Sequence, residues 1–389
     1  MKSLGIYVHI PFCQKKCLYC DFTSFVVEEM DQTKYVDALI QEMKHYGSLI
    51  RDQYVVDTIF IGGGTPSLLS EGGIQSIIEA LNDCFHISDH LEFSIEANPG
   101  TLSYAKLLDY RKMGINRLSM GLQSVCDKDL RLLGRIHTYQ DFLKQFQYAR
   151  EAGFQNINVD LIYNIPNQGM QEFLGGLEQV VRLNPEHLSL YSLILEEGTK
   201  FNELYKVDDG CFLTEEEEEE MYHLIGMQLM NSQYHRYEIS NYAKQGFECK
   251  HNLKYWTNRE YLGLGIAAAS YRNDVRTKNI SDLGFYSRSA NTISKIILNQ
   301  EIFDEFHVVT RSEKKEEFIM LSLRTVYGIS DNVYKELFKE SFYNTFKEKL
   351  LFLQSKGLVI VESSVLDVSI RLTEAGMYVS NAIIRELIA

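Results

Sequence analysis

Through residue 195 the sequence returns six times to one unit: a short apolar, β-branched run closed by Gly, Pro or Asn. The runs begin near residues 5 (GIYVHIPF), 56 (VDTIFIGG), 91 (LEFSIEAN), 115 (INRLSMGLQ), 155 (QNINVDLIYNIP) and 187 (HLSLYSLILE). Their brevity and composition suit strands buried on both faces. Between them run helical stripes: Val36, Leu39, Ile40 and Met43 keep i, i+3, i+4, i+7 spacing, as do Ile74, Ile77, Ile78 and Leu81. The turn from Asn98 to Thr101 stops a strand and offers a cap for the helix that holds Leu107 and Leu108. Strands alternating with helices predict an α/β fold with a parallel sheet. Six units are too few to close an eight-stranded barrel, so the expected form is an open, partial (β/α)6 barrel with its chemistry at the carboxyl ends of the strands. Cys13, Gly62 to Thr65, Glu96, Gln123 and Asp160 all fall there.

Beyond residue 200 the pattern changes. Thr214 followed by six glutamates reads as a capped helix start, where the helix dipole favours anions. HNLKYW and the glycine-rich LGLGIAAASY follow, then helical sequence from about 305 and two short strand-like runs, LVIVES and VLDVSIRLT. Helices followed by a hairpin predict an α+β, winged-helix-like domain. Three segments result: 1–200 as the partial barrel, 201–304 as its extension with the HNxxYW motif, and 305–389 as the C-terminal domain.

Charge and cysteine usage narrow the function. The net charge of −14 argues against nucleic acid as a partner, which would want a basic face. The first residues carry no apolar stretch of signal-peptide type, and no run approaches the roughly 18 apolar residues of a membrane span. Seven cysteines in 389 residues are too few for a disulfide framework. The expected setting is therefore reducing and cytoplasmic, where clustered thiols are metal ligands or redox groups.

Cys13, Cys17 and Cys20 form such a cluster, in the spacing Cys-x3-Cys-x2-Cys. Zinc wants a fourth ligand that the neighbourhood does not offer, because His9 lies in the strand and Asp21 follows Cys20. Asp21 also excludes a Cys-x-x-Cys-His haem attachment. Gln14, Lys15 and Lys16 leave the cluster no apolar face to bury. Three thiolates can instead hold three irons of a 4Fe–4S cluster, whose usual complement is four, leaving one iron open. Cys84, Cys126, Cys211 and Cys249 stand alone and read as packing residues.

With Tyr19 before its last cysteine, this motif resembles the signature of the radical S-adenosylmethionine (SAM) superfamily. The resemblance implies that the open iron chelates SAM and that the partial barrel is a radical SAM barrel. It also implies SAM contacts from Gly63, Gly64 and Thr65 in the GGGTP turn, where missing Cβ atoms let a ligand approach the backbone.

Tyr7-Val8-His9-Ile10-Pro11-Phe12 before Cys13, with Glu96, Gln123, Arg135 and Asp160, is similar to the pattern of oxygen-independent coproporphyrinogen III oxidases. That similarity implies SAM contacts from Tyr7, Tyr19, Glu96, Gln123, Arg135 and Asp160. The catalytic oxidase has a further cysteine two residues beyond the third, where this chain has Phe22, and a long N-terminal extension.

Both departures match the related haem-chaperone branch, and so does His251-Asn252-Leu253-Lys254-Tyr255-Trp256. By that resemblance His251 is a haem ligand, and Tyr255 and Trp256 could stack on the macrocycle. A lone histidine beside aromatics is otherwise a structural residue, and that reading stays open. The expected cofactors are a 4Fe–4S cluster, SAM and haem, and the expected partner is a haem-acceptor protein, with room for transient contact with membrane-bound haem proteins. The alternatives are the oxidase itself, or a radical methyltransferase or cyclase acting on another tetrapyrrole or an unrelated substrate.

Overall fold

The computed structural model describes residues 1–26, 29–206 and 209–388. The chain divides into two compact units, Met1–Phe212 with Arg259–Val308, and Leu213–Asn258 with Val309–Ala389. The segment read as one barrel extension is thus split, 213–258 going to the second unit and 259–308 to the first.

In the first unit the alternation read from sequence is realised as β1 (Lys2–Ile10), α1 (Glu29–Ile50), β2 (Tyr54–Gly63), α2 (Glu71–Cys84), β3 (Ile87–Ala97), α3 (Tyr104–Lys112), β4 (Arg117–Gln123), α4 (Asp127–Leu132), α5 (Tyr139–Glu151), β5 (Ile157–Tyr163), α6 (Met170–Arg182) and β6 (His187–Ser192). The six strands pair in chain order, each parallel to the next. The barrel is partial because β1 pairs on its other side with a seventh parallel strand, Tyr261–Leu264, and not with β6. Three antiparallel strands, Ala269–Arg272, Val275–Asn279 and Phe303–Val308, continue the sheet beyond it. The glycine-rich LGLGIAAASY stretch is therefore a strand, a turn and a second strand.

Helix placement follows the apolar stripes. Ile74, Ile77, Ile78 and Leu81 of α2 are all buried, each worth roughly 1.5–3 kcal/mol of transfer free energy. Ser70 caps this helix by accepting from the Gly73 N–H, and Thr138 with Asp141 forms a capping box on α5. The cap of α3 is Ser103, which accepts from the Lys106 N–H, and not the Asn98–Thr101 turn. That turn has other work at the site.

A buried carboxylate joins the seventh strand to the end of β1. Glu42 of α1 is fully buried and accepts from the Gly265 N–H at 2.8 Å, the Asn279 amide at 2.8 Å and the Tyr286 hydroxyl. Beside it the Tyr35 hydroxyl donates to the His9 carbonyl at 2.7 Å and accepts from the Ile266 N–H at 3.2 Å. Gly265 has φ +93°, and a Cβ there would lie 2.3 Å from the Tyr35 hydroxyl, so the position requires glycine.

Burial outweighs the three donors and raises the Glu42 carboxyl to about 7, against about 4.3 for an unfolded glutamate. Between those values the folded chain keeps a proton that the unfolded chain has released, so this group's stabilisation is lost as pH rises. The thermal midpoint of Glu42→Gln should accordingly fall less steeply than the parent's between about pH 5 and 7.5. Parallel slopes in a pH series of melting curves would refute this.

In the second unit Thr214 caps the helix Glu215–Met230 with Glu217 as its capping-box partner, as the glutamate run suggested. Helices Arg311–Ser322, Asp331–Phe338 and Phe342–Ser355 precede the hairpin Val359–Ser363 and Val368–Leu372, which pairs with Ile329–Ser330. This is the winged-helix-like order, closed over a core that includes Ile319, Leu323, Tyr334, Phe342, Leu350 and Ile370. Among the described residues no helix is long and apolar enough to cross a membrane.

Candidate cluster and nucleoside site

β1 delivers its chain into a loop that is tied at both ends. The Phe25 N–H donates to the Pro11 carbonyl at 2.7 Å, and the Cys13 N–H donates to the Phe25 carbonyl at 2.9 Å. His9 adds a third tie, its Nε2 lying 2.9 Å from the Thr23 carbonyl. A carbonyl only accepts, so Nε2 carries the proton and Nδ1 accepts from the Tyr7 hydroxyl at 2.9 Å. Sequence reading saw His9 only as a strand residue. Cys13, Cys17 and Cys20 are free, half-buried thiols within this closed loop.

The three cysteines line one cavity together with Tyr19, Phe22, Gly63, Gly64, Thr65, Glu96, Asn98, Ser119, Gln123, Arg135 and Asp160. The carboxyl ends of the strands therefore bring together every residue assigned to the cluster and to SAM except Tyr7. Tyr7 stands behind the wall, bonded to His9 and stacked on Phe60 with ring centroids 6.4 Å apart. Asp160 departs from the expected strand end: it is the middle residue of β5, paired in register with Gly121, yet it still lines the cavity.

Two sulfurs receive donors. Arg135 Nη1 lies 3.5 Å from Cys17 Sγ, and the Thr65 hydroxyl lies 3.7 Å from Cys13 Sγ. Asn98 links them, donating to Thr65 Oγ1 at 2.7 Å and accepting from Arg135 Nη2 at 2.5 Å. Arg135 Nη2 also reaches the Gly121 carbonyl at 2.7 Å. The guanidinium and the hydroxyl thus hold two of the three sulfurs in place. Burial pushes the Cys20 thiol up to about 11, so metal coordination must draw off that proton. Asn98 is a site residue that sequence reading missed; its only signal was its place two residues after Glu96.

The glycine loop leaves the sulfurs room. A Cβ on Gly64 would lie 2.7 Å from the Phe12 carbonyl oxygen and 3.0 Å from Cys13 Sγ. Gly63 has φ +116°, and a Cβ there would meet the His9 ring at 2.7 Å. Among the described residues no His, Cys, Asp and Glu group gathers closely enough to hold a single metal ion. Three thiols spread around one cavity, with no other soft ligand in its wall, are a donor set that fits an iron–sulfur cluster.

Two carboxyl groups share the cavity wall with the thiols. Glu96 accepts from the Gly63 N–H at 3.0 Å, and burial with the nearby Asp160 charge raises its carboxyl to about 8. Burial also raises Asp160, against hydrogen bonds from Ser189 and Asn158, the latter at 2.7 Å. A carboxylate pair in a closed wall suits a ligand that brings amine, sulfonium or sugar hydroxyl groups. Gln123 ends β4 at φ +72°, where the β4–β5 register shifts between Gly121 and Gln123. Such a left-handed residue costs on the order of 1–3 kcal/mol and is typical of ligand clamps.

His251 belongs to the second unit. It lies on the helix Lys250–Trp256, is 1% exposed, and its Nε2 is 2.8 Å from the Tyr255 hydroxyl. The Tyr255 ring meets it edge-on with centroids 5.1 Å apart, and Trp256 is half-buried. Of the cysteines read as packing residues, Cys249 is buried and Cys84, Cys126 and Cys211 are half-buried.

Comparison with known proteins agrees with this geometry. The radical SAM superfamily pattern matches residues 7–180, and that of the HemN C-terminal domain matches residues 309–379. The chain is 36% identical over 385 residues to "Heme chaperone HemW" of Bacillus subtilis, covering 98% of each chain. It is 38% identical over 273 residues to the Escherichia coli protein of the same name, covering 69% of this chain and 70% of that one. Among solved structures, the coproporphyrinogen III oxidase HemN from Escherichia coli superposes with a TM-score of 0.85 at 25% identity, over 99% of this chain and 90% of that one.

Proposed function

Because this chain belongs to the radical SAM superfamily, in the coproporphyrinogen oxidase-like branch close to the haem chaperones, we propose that it is a haem carrier holding a 4Fe–4S cluster and SAM. The observation that carries the carrier reading is the end-to-end likeness to a protein named as a haem chaperone, 36% identical across 98% of both chains.

Cys13, Cys17 and Cys20 would hold the cluster, and the coordination position that three cysteines leave vacant would take SAM. When bound, such a cluster supplies one electron at low potential. The chain's own residues do the rest. Arg135 and Thr65 position the sulfurs of Cys17 and Cys13. Gly63, Gly64 and Thr65 line the approach to the open iron, with Tyr19 beside them. Glu96, Gln123 and Asp160 would take the nucleoside side, where a ligand cation would favour the ionised form of Glu96, its proton passing to solvent. Tyr7 acts through His9, holding the imidazole that ties Thr23 and so keeps the cluster loop closed. A reducing compartment such as the cytoplasm suits exposed thiol chemistry of this kind.

For haem, His251 would hold the iron through its imidazole until an acceptor protein takes the haem. Its Nε2 is engaged by Tyr255, so ligation requires that hydroxyl to give way. His251→Ala is therefore expected to abolish the shift of the haem absorbance band on binding, and Tyr255→Phe to preserve it. A spectrum and titration unchanged in His251→Ala would remove this residue as the ligand.

A second reading, coproporphyrinogen oxidation, is favoured by the fold shared with HemN over 99% of this chain and by the complete cavity wall. Phe22 in place of the further cysteine weighs against it. Anaerobic incubation with reductant, SAM and coproporphyrinogen III separates the two. The carrier reading expects no turnover, and steady formation of protoporphyrinogen would end it.

A further inference from the structure

The interior of a parallel β/α barrel is ordinarily filled with branched apolar side chains. One layer below the cavity wall this chain departs from that. Arg117 stands two residues before Ser119 on β4, Asn158 stands two before Asp160 on β5, and His187 of β6 pairs in register with Asn158. Strand alternation puts all three on the face that carries Ser119 and Asp160 into the cavity. Arg117 and Asn158 are 2% exposed and His187 is wholly buried. Burying such groups is costly unless they are bonded, and neither Asn158 nor His187 reaches the cavity itself.

Their bonds run in one direction. Asn158 Nδ2 donates to Asp160 Oδ1 at 2.7 Å and to the Ser119 hydroxyl at 2.8 Å. A carboxylate accepts, so the amide turns its nitrogen toward Asp160 and its oxygen away. That oxygen lies 2.6 Å from His187 Nδ1 and 3.1 Å from the Ser189 hydroxyl, which Asp160 shares. An amide oxygen only accepts, so His187 carries its proton on Nδ1. Burial, and then the nearby Arg117 charge, keep the ring from taking a second proton. With the amide turned over, its oxygen would face the carboxylate, two acceptors with no proton between them. The imidazole therefore fixes the amide, and the amide fixes Asp160.

We propose that Asn158 and His187 are positioning residues for Asp160, holding its carboxylate in one orientation toward the nucleoside end of SAM. The proposal rests on the reading of the cavity as a SAM site and adds to it two residues that touch no ligand. Ser119, which shares the Asn158 amide, stands in the same cavity wall, so one side chain sets two neighbouring wall groups.

The test is the SAM affinity of the full-length, anaerobically reconstituted protein, with iron content and melting temperature measured on each sample. Parent, Asn158→Leu, His187→Leu and His187→Asn are compared. An asparagine at 187 offers an amide N–H close to where the imidazole Nδ1–H stood, and leucine offers none. The expected result is a loss of SAM affinity of about tenfold or more in Asn158→Leu and His187→Leu, with iron at the parent's level, and recovery to within about threefold in His187→Asn. A network that served only to hold the barrel together would lower melting temperature in all three variants and leave the affinity of the folded fraction unchanged. That outcome, or a tenfold loss in a folded His187→Asn, would overturn the proposal. Should an apolar variant fail to fold, His187→Asn still decides. A parent that carries the cluster and binds no SAM would instead end the reading of the cavity, and this proposal with it.

Discussion

Alanine at any one of Cys13, Cys17 or Cys20 is expected to abolish the broad iron–sulfur absorbance of the anaerobically reconstituted protein and reduce its iron and sulfide to background. The three thiols line one cavity, and no histidine and no fourth cysteine shares that wall to substitute for a lost ligand. Aspartate and glutamate are present there, but carboxylate oxygens are hard donors poorly matched to sulfide-bridged iron. SAM binding, read as a change in the electron paramagnetic resonance signal of the reduced protein, should disappear with the cluster. Alanine at Cys84, Cys126 or Cys211 should leave both signals in place, since none of them lines the cavity. Zinc in place of iron, or full absorbance in any one of the three variants, would overturn the cluster assignment.

The second large effect is expected from a single methyl group. Gly64→Ala places a Cβ 2.7 Å from the Phe12 carbonyl oxygen, a backbone atom that cannot swing aside, and 3.0 Å from Cys13 Sγ. The Gly64 N–H donates to the Ile10 carbonyl at 2.9 Å and the Thr65 N–H to the Phe12 carbonyl at 2.7 Å, so the glycine turn and the cluster loop are clamped together. The added atom forces them apart at the cost of about 1–3 kcal/mol that overpacking typically carries. Because the displacement falls on a sulfur, the loss should appear at the site more than in overall stability. SAM affinity is expected to drop about tenfold or more, and cluster iron to fall below stoichiometric. Parent-like SAM affinity in Gly64→Ala would show that the ligand does not lie along this turn.

How far the sequence carried the reading depends on the range of the interaction concerned. The β/α alternation, the stripe on α2 and the Thr214 cap were legible because each is set by residues within a few positions of one another. The seventh parallel strand was not legible. Tyr261–Leu264 is only four residues long, and what fixes it is its pairing with β1 and the buried Glu42 contact, both more than two hundred positions away. Asn98 was legible as a turn residue, yet its bonds to Thr65 and Arg135 are with residues 33 and 37 positions distant. Tyr7 was assigned by resemblance to the ligand, and the bond of its hydroxyl to His9 was not legible in the sequence.

By itself the sequence determined the class of fold and singled out the three clustered thiols, because strand and helix periodicity and the spacing of three cysteines are local properties of the chain. Only the tertiary structure decided what those thiols face. Convergence of β1, β2, β3, β4 and β5 sets Arg135 and Thr65 on two sulfurs and brings Glu96 and Asp160 into the same cavity wall. It also decided that His251, beside the aromatics that drew notice to it, lies buried against the Tyr255 hydroxyl. The physical reason is that hydrogen bonds and charge at a site act over a few ångströms of space, and only folding brings such distant positions to that range.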